Sequence, residues 1–315
     1  MKILLFTHEQ DIDGMGSIII ASCAFSDFDY ITCKTFEVNQ KVSEVINDGS
    51  IASYDFVYVT DICIKEPLLS QINADSVLRS KFLILDHHKS EIDEGNDKYS
   101  FVKIIVSNKN GKQSGTSLFY NHLMAQQLLN SKTSLDEIVE LTRQYDTWEW
   151  HDIYHNSKAR MLHILFEQLG YQEYLRQMIE MVQTQDEVKF SEQQLTIIDK
   201  FECQLEAKLT TILKDMIVLS LDIEKKNYRV GFVKCNYQYR NDLPDMVLRD
   251  NKENIDLLGM IIVDRDTVSY RKIRNVDVSK VAVYFGGKGH IDAASNPQSN
   301  ENFQKVLASF PKKIV

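Results

Sequence analysis

The chain has 315 residues, 43% of them apolar, and a net charge of −9. That length and apolar content suffice for two domains with proper cores, and the acidic balance excludes a protein that grips long duplex nucleic acid by sequence-independent electrostatics. No stretch approaches the ~20 apolar residues that span a bilayer, the short apolar start is too brief for a secretory signal, and five scattered cysteines without Cys-x-x-Cys spacing fit the reduced thiols of a cytoplasmic protein.

Lys2–Phe6 reads as a first strand, and the loop after it carries His8, Asp11, Asp13 and Gly14 into a helix over Gly16–Ala24. Ile31–Val38 reads as a second strand, Lys41–Asn47 as a helix, Phe56–Thr60 as a third strand ending on Asp61, and Pro67–Ala74 as another helix. The apolar run Phe82–Leu85 is a fourth strand that closes on Asp86, His87 and His88, and Phe101–Val106 is a fifth. This alternation predicts an α/β fold: a largely parallel sheet with helices on both faces. Beyond it, Gly111–Gly115 is a turn before a helix over Thr116–Leu129. Ser114, Gly115 and Thr116 either cap that helix or bind an anion at its N-terminus. Ser134 and Glu137 have capping-box spacing at the start of a helix running toward Tyr145.

Leu195, Ile198, Phe201, Leu205, Leu209, Ile212 and Leu213 step by three or four residues, as one face of a long amphipathic helix does. It reads as a connector over 186–215, between an acidic-site domain at 1–185 and a smaller α/β domain at 216–315. In that last part Ile217–Ile223 and Tyr228–Val233 read as strands, and Leu243–Asp250 as a helix with Pro244 at a start position. Leu258–Val263 and Thr267–Ile273 read as a hairpin, and Val278–Tyr284 as a helix before the glycine-rich turn Gly286–His290. From Arg265 to Lys288 the bias is basic, with Arg265, Arg271, Lys272, Arg274, Lys280 and Lys288 against Asp266 and Asp277. Such a patch suits an anionic ligand, and backbone N–H groups in the glycine turn can form an anion nest.

Three strand-like segments thus deliver His8, Asp11, Asp13, Asp61, Asp86, His87 and His88 to their C-terminal ends, the edge where open α/β sheets bind ligands. Asp11 and Asp13 leave one strand a residue apart, Gly14 lets the backbone turn sharply after them, and Asp61 on a neighbouring strand end can bridge two ions. Carboxylate mixed with imidazole suits Mn²⁺, with Fe²⁺, Co²⁺ or Zn²⁺ compatible and Mg²⁺ less so. Two such ions ~3.5–4 Å apart activate a water and stabilise a phosphoryl transition state without a protein nucleophile. Asp-x-Asp-Gly or His-His alone is ordinary turn chemistry; their convergence at three strand ends points to a hydrolytic metal centre. His151 and His155 stand four apart, but without a glutamate beside the first they make no zincin motif. Neither a nucleophile elbow nor a P-loop lysine motif occurs, which disfavours covalent hydrolases and NTPases.

The order His8, Asp11-Ile12-Asp13-Gly14, Asp61, Asp86-His87-His88 and Asp146 resembles the four motifs of the DHH phosphoesterase superfamily. Gly286–Ala294 resembles the glycine-histidine motif of that family's associated C-terminal domain, with Lys288 and Ser295 where glycines are common. The two-domain layout is most similar to the short-oligonucleotide phosphodiesterases of the family. The resemblance implies that His8, Asp11 and Asp61 hold a first Mn²⁺, and that Asp13, the bridging Asp61, His87 and Asp146 hold a second. It further implies that Asp86 orients the cluster from behind the ligands and that His88 faces the scissile phosphate. Arg271, Gly287, Gly289 and His290 would contact the substrate from the C-terminal domain.

These readings converge on a cytoplasmic phosphoesterase with two divalent ions, Mn²⁺ foremost, that trims short oligonucleotides to mononucleotides and has no membrane partner. Single-stranded DNA, a linear dinucleotide or phosphoadenosine phosphate remain alternative substrates of the same chemistry. An inorganic pyrophosphatase is disfavoured by the basic glycine-histidine C-terminal part. A non-catalytic nucleotide-binding module is disfavoured by intact acids at every expected position. A homodimer is compatible with the sequence.

Overall fold

The apolar runs that lead into acidic residues form the middle of a parallel sheet. A computed structural model describes residues 1–109, 111–250 and 254–310, and the chain divides into two units between Asp199 and Lys200. In the first unit β1 (Ile3–His8), α1 (Ile12–Ala24), β2 (Phe28–Cys33), α2 (Val38–Asn47), β3 (Phe56–Thr60) and α3 (Leu68–Ala74) follow in order. They continue as α4 (Ser76–Lys81), β4 (Phe82–Asp86), α5 (Lys89–Asp93) and β5 (Val102–Ile104). All five strands run parallel in the order β2-β1-β3-β4-β5. A short hairpin, β6 (Ser107–Asn108) and β7 (Gly111–Lys112), then leads to α6 (Gly115–Ala125), α7 (Thr133–Asp146), α8 (Glu149–Asp152), α9 (Ser157–Leu169) and α10 (Tyr171–Thr184).

Strands β1, β3 and β4 are buried on both faces, which is why their sequences are unbroken apolar runs rather than alternating ones. On one face Leu4, Phe6, Val57, Val59 and Ile84 pack with Val42 of α2 and Leu69 and Ile72 of α3. On the other face Tyr58 meets Phe119 of α6, with ring centroids 4.9 Å apart. Each such aliphatic or aromatic side chain, fully buried, contributes about 1.5–3 kcal/mol. The chain leaves β1 toward β2 on one side and later returns to β3 on the other. The C-terminal ends of β1 and β3 therefore flank a switch point, where such sheets open a crevice. The parallel sheet with helices on both faces is the architecture expected.

Three local expectations are corrected. The second strand ends at Cys33, not Val38, because Lys34–Glu37 form a turn in which the Lys34 N–H donates to Glu37 Oε2 at 3.0 Å. Val38 and Val42, four apart, belong instead to the buried face of α2. Helix α6 stops at Ala125 rather than Leu129, and Gln127 takes a left-handed φ of 58°. The Ser134–Glu137 capping box does not form: α7 starts at Thr133, Ser134 Oγ donates to Val182 O, and Glu137 pairs with Lys158.

Helix α11 (Glu192–Lys214) contains the boundary between the units. In the second unit its residues Leu205, Ile212 and Leu213 pack against a cluster of Leu209, Val233, Leu243, Leu258 and Met260. That unit continues with β8 (Ile217–Ile223), β9 (Lys226–Cys235), α12 (Asp242–Asp250), β10 (Leu257–Ile262) and β11 (Thr267–Lys272). It ends with α13 (Val278–Tyr284), β12 (Lys288–Gly289), β13 (Ala293–Asn296) and α14 (Glu301–Ala308). The sheet order is β12-β13-β11-β10-β9-β8, with only β9 and β10 parallel. Its other face packs Phe232, Tyr270, Phe285 and Phe303 together. Among the described residues no helix is long and apolar enough to cross a membrane.

Candidate metal centre

Strand β1 ends on His8 and α1 begins at Ile12, so a short loop must bring Asp11 back over the strand end. Asp11 is the N-cap of α1: its Oδ1 accepts from Gly14 N–H at 3.1 Å, and its Oδ2 lies 2.9 Å from His8 Nδ1. Gly14 sits inside the helix, so the sharp turn expected of it is not what requires glycine. A Cβ there would lie 1.9 Å from the His8 carbonyl oxygen.

Asp13, fully buried in the first turn of α1, is gripped from across the unit. The N–H groups of Gly115 and Thr116, in the first turn of α6, donate to its Oδ2 and Oδ1 at 2.6 and 2.9 Å. Thr116 Oγ1 adds a bond to the Asp13 carbonyl, while Ser114 caps the helix in a capping box with Ser117. The positive end of α6 thus holds an anion, and that anion is a carboxylate of the protein itself.

Asp61 follows β3 with a left-handed φ of 64°, a conformation that costs a non-glycine residue about 1–3 kcal/mol. The turn aims its two oxygens in different directions. Oδ1 lies 3.2 Å from His87 Nε2, and Oδ2 lies 3.7 Å from His8 Nδ1. His87 Nε2 is also 3.6 Å from Asp13 Oδ2 and 3.6 Å from Asp146 Oδ2, the latter on the last residue of α7. Two groups flank Asp61, His8 with Asp11 and Asp61, and Asp13 with His87 and Asp146, and a third overlaps them, Asp61 with Asp86, His87 and His88. The donor atoms of each lie within 4.8 Å of one another. Asp61 reaches both flanking groups.

Asp86 sits behind the histidines. Its Oδ1 accepts from His87 N–H at 2.6 Å and from His88 Nδ1 at 2.7 Å, which turns His88, half exposed, outward. Sequence reasoning passed over the pair beneath Asp146. Buried Arg143 donates to Glu149 Oε2 at 2.6 Å and to the Lys112 carbonyl at 2.9 Å, tying the end of α7 to α8 and β7.

In the second unit, Arg271, Gly289 and His290 line one open depression together with Tyr237, Arg240 and Arg265. Gly287 does not line it: its N–H donates to Ala282 O at 2.8 Å, and a Cβ there would lie 2.0 Å from Ser295 O. The N–H groups of Gly286 and His290 are likewise bonded to Val283 O and Ala293 O. These three amides are spent on closing the turn against α13 and β13 and are not free for an anion nest.

Residues 2–143 match the DHH family, N-terminal domain. The chain resembles that family over this stretch. It is 28% identical over 308 residues to oligoribonuclease NrnB of Bacillus subtilis (strain 168), spanning 96% of this chain and 75% of that protein. Among solved structures, a pGpG-specific phosphodiesterase, PggH, from Vibrio cholerae superposes with a TM-score of 0.52 at 10% identity, covering 98% of this chain and 97% of that one. An uncharacterized protein from Helicobacter pylori G27 gives 0.45 at 16% identity, covering 94% and 93%. At such identities the PggH likeness speaks to the fold.

The electrostatics of this centre ask for cations. Burial, and then the charges of Asp13, Asp11 and Asp146, push the Asp61 carboxyl well above the usual range. Burial and the charges of Asp13 and Asp11 do the same to Asp146, which also sits at the negative end of α7. Burial pulls His87 down, which favours the neutral imidazole that can ligate a metal. Burial, the largest single influence on each, would lower His8 and raise Asp11, but their mutual hydrogen bond and charge attraction, with smaller contributions, together reverse the direction in both. Oδ2 of Asp61, Asp86 and Asp146 are buried without a hydrogen-bond partner among the described residues. Oxygen and nitrogen donors this concentrated, with orphaned carboxylate oxygens pointing among them, fit divalent metal ions.

A pH dependence follows from the raised carboxyls. Without metal, Asp61 and Asp146 contribute stability that is fully present below the ordinary carboxylate pKa and is lost as pH rises through their raised folded values. A divalent ion replaces those protons, so its stabilisation should grow with pH. Thermal melts with chelator and with Mn²⁺, at steps from about pH 5 to about pH 8, should show a metal-induced rise in Tm that widens toward neutral pH. A rise that is constant or shrinks would contradict this account.

Proposed function

We propose that the chain is a cytoplasmic, Mn²⁺-dependent phosphodiesterase that hydrolyses short oligonucleotides to mononucleotides. The observation that carries this reading is Asp61, whose two oxygens face two separate carboxylate–imidazole groups at the crevice of the sheet. The similarity to an oligoribonuclease along almost the whole chain supports the substrate class. Five free thiols are in keeping with a reducing compartment.

His8, Asp11 and Asp61 would hold one ion, and Asp13, Asp61, His87 and Asp146 the other. When bound, the two ions supply Lewis acidity that activates a water and neutralises charge on the phosphoryl oxygens. The chain's own residues do the rest. Gly115 and Thr116 fix Asp13, the αL turn fixes Asp61, and Asp86 fixes His88. The Asp86 hydrogen bond, more than any other influence, raises the His88 pKa, which favours the protonated ring. His88 is thus suited to donate a hydrogen bond or proton to the scissile phosphate. In the second unit, Arg271 and the basic depression would bind the part of the nucleotide that does not react.

The test is a substrate panel with Mn²⁺: a dinucleotide, a pentamer, a long single strand, phosphoadenosine phosphate and pyrophosphate. The dinucleotide should give the highest initial rate and the long strand the lowest among nucleic acids. Faster hydrolysis of pyrophosphate, or none of any nucleotide, would overturn the reading. Within the site, His87→Ala should lower bound metal measured by elemental analysis. His88→Gln should keep the metal and lose turnover. Equal metal loss in both variants would mean the adjacent histidines have been assigned wrongly.

A further inference from the structure

Helix α7 ends in a way that the metal centre does not require. Its last residue is Asp146, its cap is Thr147, and Trp148 follows with a left-handed φ of 64°. The Trp148 N–H donates to Tyr145 O at 3.1 Å, which closes the helix end. Helices usually place glycine at this position, because a Cβ crowds the backbone there, and a bulky residue is a genuine outlier. Burial does not explain the exception. Trp150, two residues on, is 8% exposed and packs as a core ring, whereas Trp148 stays part-exposed. A large apolar ring is thus kept in an unfavourable backbone conformation and only partly covered. Such outliers gather at ligand clamps.

The neighbouring rings are arranged around Trp148 rather than over it. Tyr145 is taken up by near-parallel partners, His163 at 4.4 Å and 19° and Trp150 at 5.9 Å and 18°. The guanidinium carbon of Arg160 lies 5.9 Å from the centroid of the Trp150 ring. Trp148, by contrast, meets Tyr145, Trp150 and His151 at 57°, 73° and 36°, with centroids 6.4, 5.5 and 5.6 Å away. None of these three lies flat on it. Angled contacts of this kind hold an indole in one orientation without stacking on its face. In sequence Trp148 is two residues from Asp146, whose Oδ2 lies 3.6 Å from His87 Nε2 in the centre. A nucleotide has a matching layout, since its flat base is one sugar away from its phosphate. Stacking on an indole needs no positive charge, which suits a chain of net charge −9. It also accepts any base, because every base has a π-face.

We propose that Trp148 is a stacking surface for a nucleobase next to the scissile phosphate, so that the first unit recognises a base as well as a phosphodiester. This rests on the phosphodiesterase reading above and deepens it. Trp148 is a specificity residue, and Trp150 and His151, which hold its ring, are positioning residues.

The experiment compares kcat/KM of the full chain with Mn²⁺ on a dinucleotide and on the two versions of it in which one base is replaced by hydrogen. Loss of the stacked base should cost about ten-fold or more, the scale of one base–aromatic stack, and the version that suffers names the base that is bound. In Trp148→Gly, which suits the backbone and removes the ring, that ratio should fall toward one while bound metal stays at the wild-type level. Trp148→Phe should keep part of the ratio. A wild-type ratio of one for both versions would overturn the proposal, as would a ratio that survives in Trp148→Gly. Metal lost in parallel with rate would make Trp148 a support of Asp146 and overturn it too. Fluorescence gives a readout without turnover, because Trp148 and Trp150 are the chain's two tryptophans. In Trp150→Phe, which keeps an aromatic ring beside it, Trp148 is the one indole that emits. Adenosine monophosphate should quench that emission and ribose 5-phosphate should not. Failure to hydrolyse all three dinucleotides would sink the phosphodiesterase reading, while equal responses to adenosine monophosphate and ribose 5-phosphate would sink the stacking surface itself.

Discussion

Asp61→Asn should leave a folded protein that loses turnover by at least ~10²-fold, the scale of removing one preorganised electrostatic stabiliser. The amide keeps the shape of the side chain but removes the negative charge and turns one oxygen into a donor. Both halves of the cluster feel the change, because one Asp61 oxygen faces His87 and the other faces His8. Substitution of Asp11, which reaches only the His8 group, should therefore retain more bound metal than substitution of Asp61. Metal content per chain and the initial rate on a dinucleotide check both statements. An Asp61→Asn protein with full metal occupancy and normal turnover would remove the shared-carboxylate account of the site.

Gly115→Ala should be nearly as damaging, although it alters no ligand. A Cβ at Gly115 would lie 2.5 Å from Asp61 Cβ and 2.7 Å from Asp61 Cα, so main chain, rather than a flexible side-chain tip, must give way. Overpacking of this kind typically costs about 1–3 kcal/mol. The displacement falls on Asp61, and the Gly115 N–H also grips Asp13. A misplacement of about 1 Å in a reacting constellation can cost 10²-fold in rate. The expected outcome is a lowered Tm, weakened Mn²⁺ binding and a rate loss of about that size. Wild-type kinetics in Gly115→Ala would show that α6 does not set the geometry of the centre.

Much of this site was legible because the candidate ligands end unbroken apolar runs, and a buried parallel strand announces itself in that way. His8, Asp61, Asp86 and His87 could be placed on one sheet edge without coordinates. Their supports could not be read. The bond from Gly115 to Asp13 joins residues 102 positions apart, and Ser114–Thr116 alone suggested only a cap or an unspecified anion. Arg143 and Glu149 belong to no motif, and only their burial shows that they tie down the end of α7. Val38 misled because apolar residues of a strand and of the following helix run together across Lys34–Glu37. In the second unit the basic bias was visible, but stacking of Arg240 and Arg265 on one ring depends on two loops meeting. The glycine turn revealed that the backbone bends there, not that its amides were already bonded.

The grip of α6 on Asp13 also orders events during synthesis. Protein chains emerge N-terminus first, so His8, Asp11 and Asp13 leave the ribosome well before Gly115 and Thr116, and Asp146 comes later still. Until those residues arrive, Asp13 lacks its N–H partners and His87 lacks one of its carboxylate neighbours. The nascent chain would consequently offer an ion only part of the candidate donor set. Loading of metal would then be a late step, open only to a chain whose first unit has finished folding.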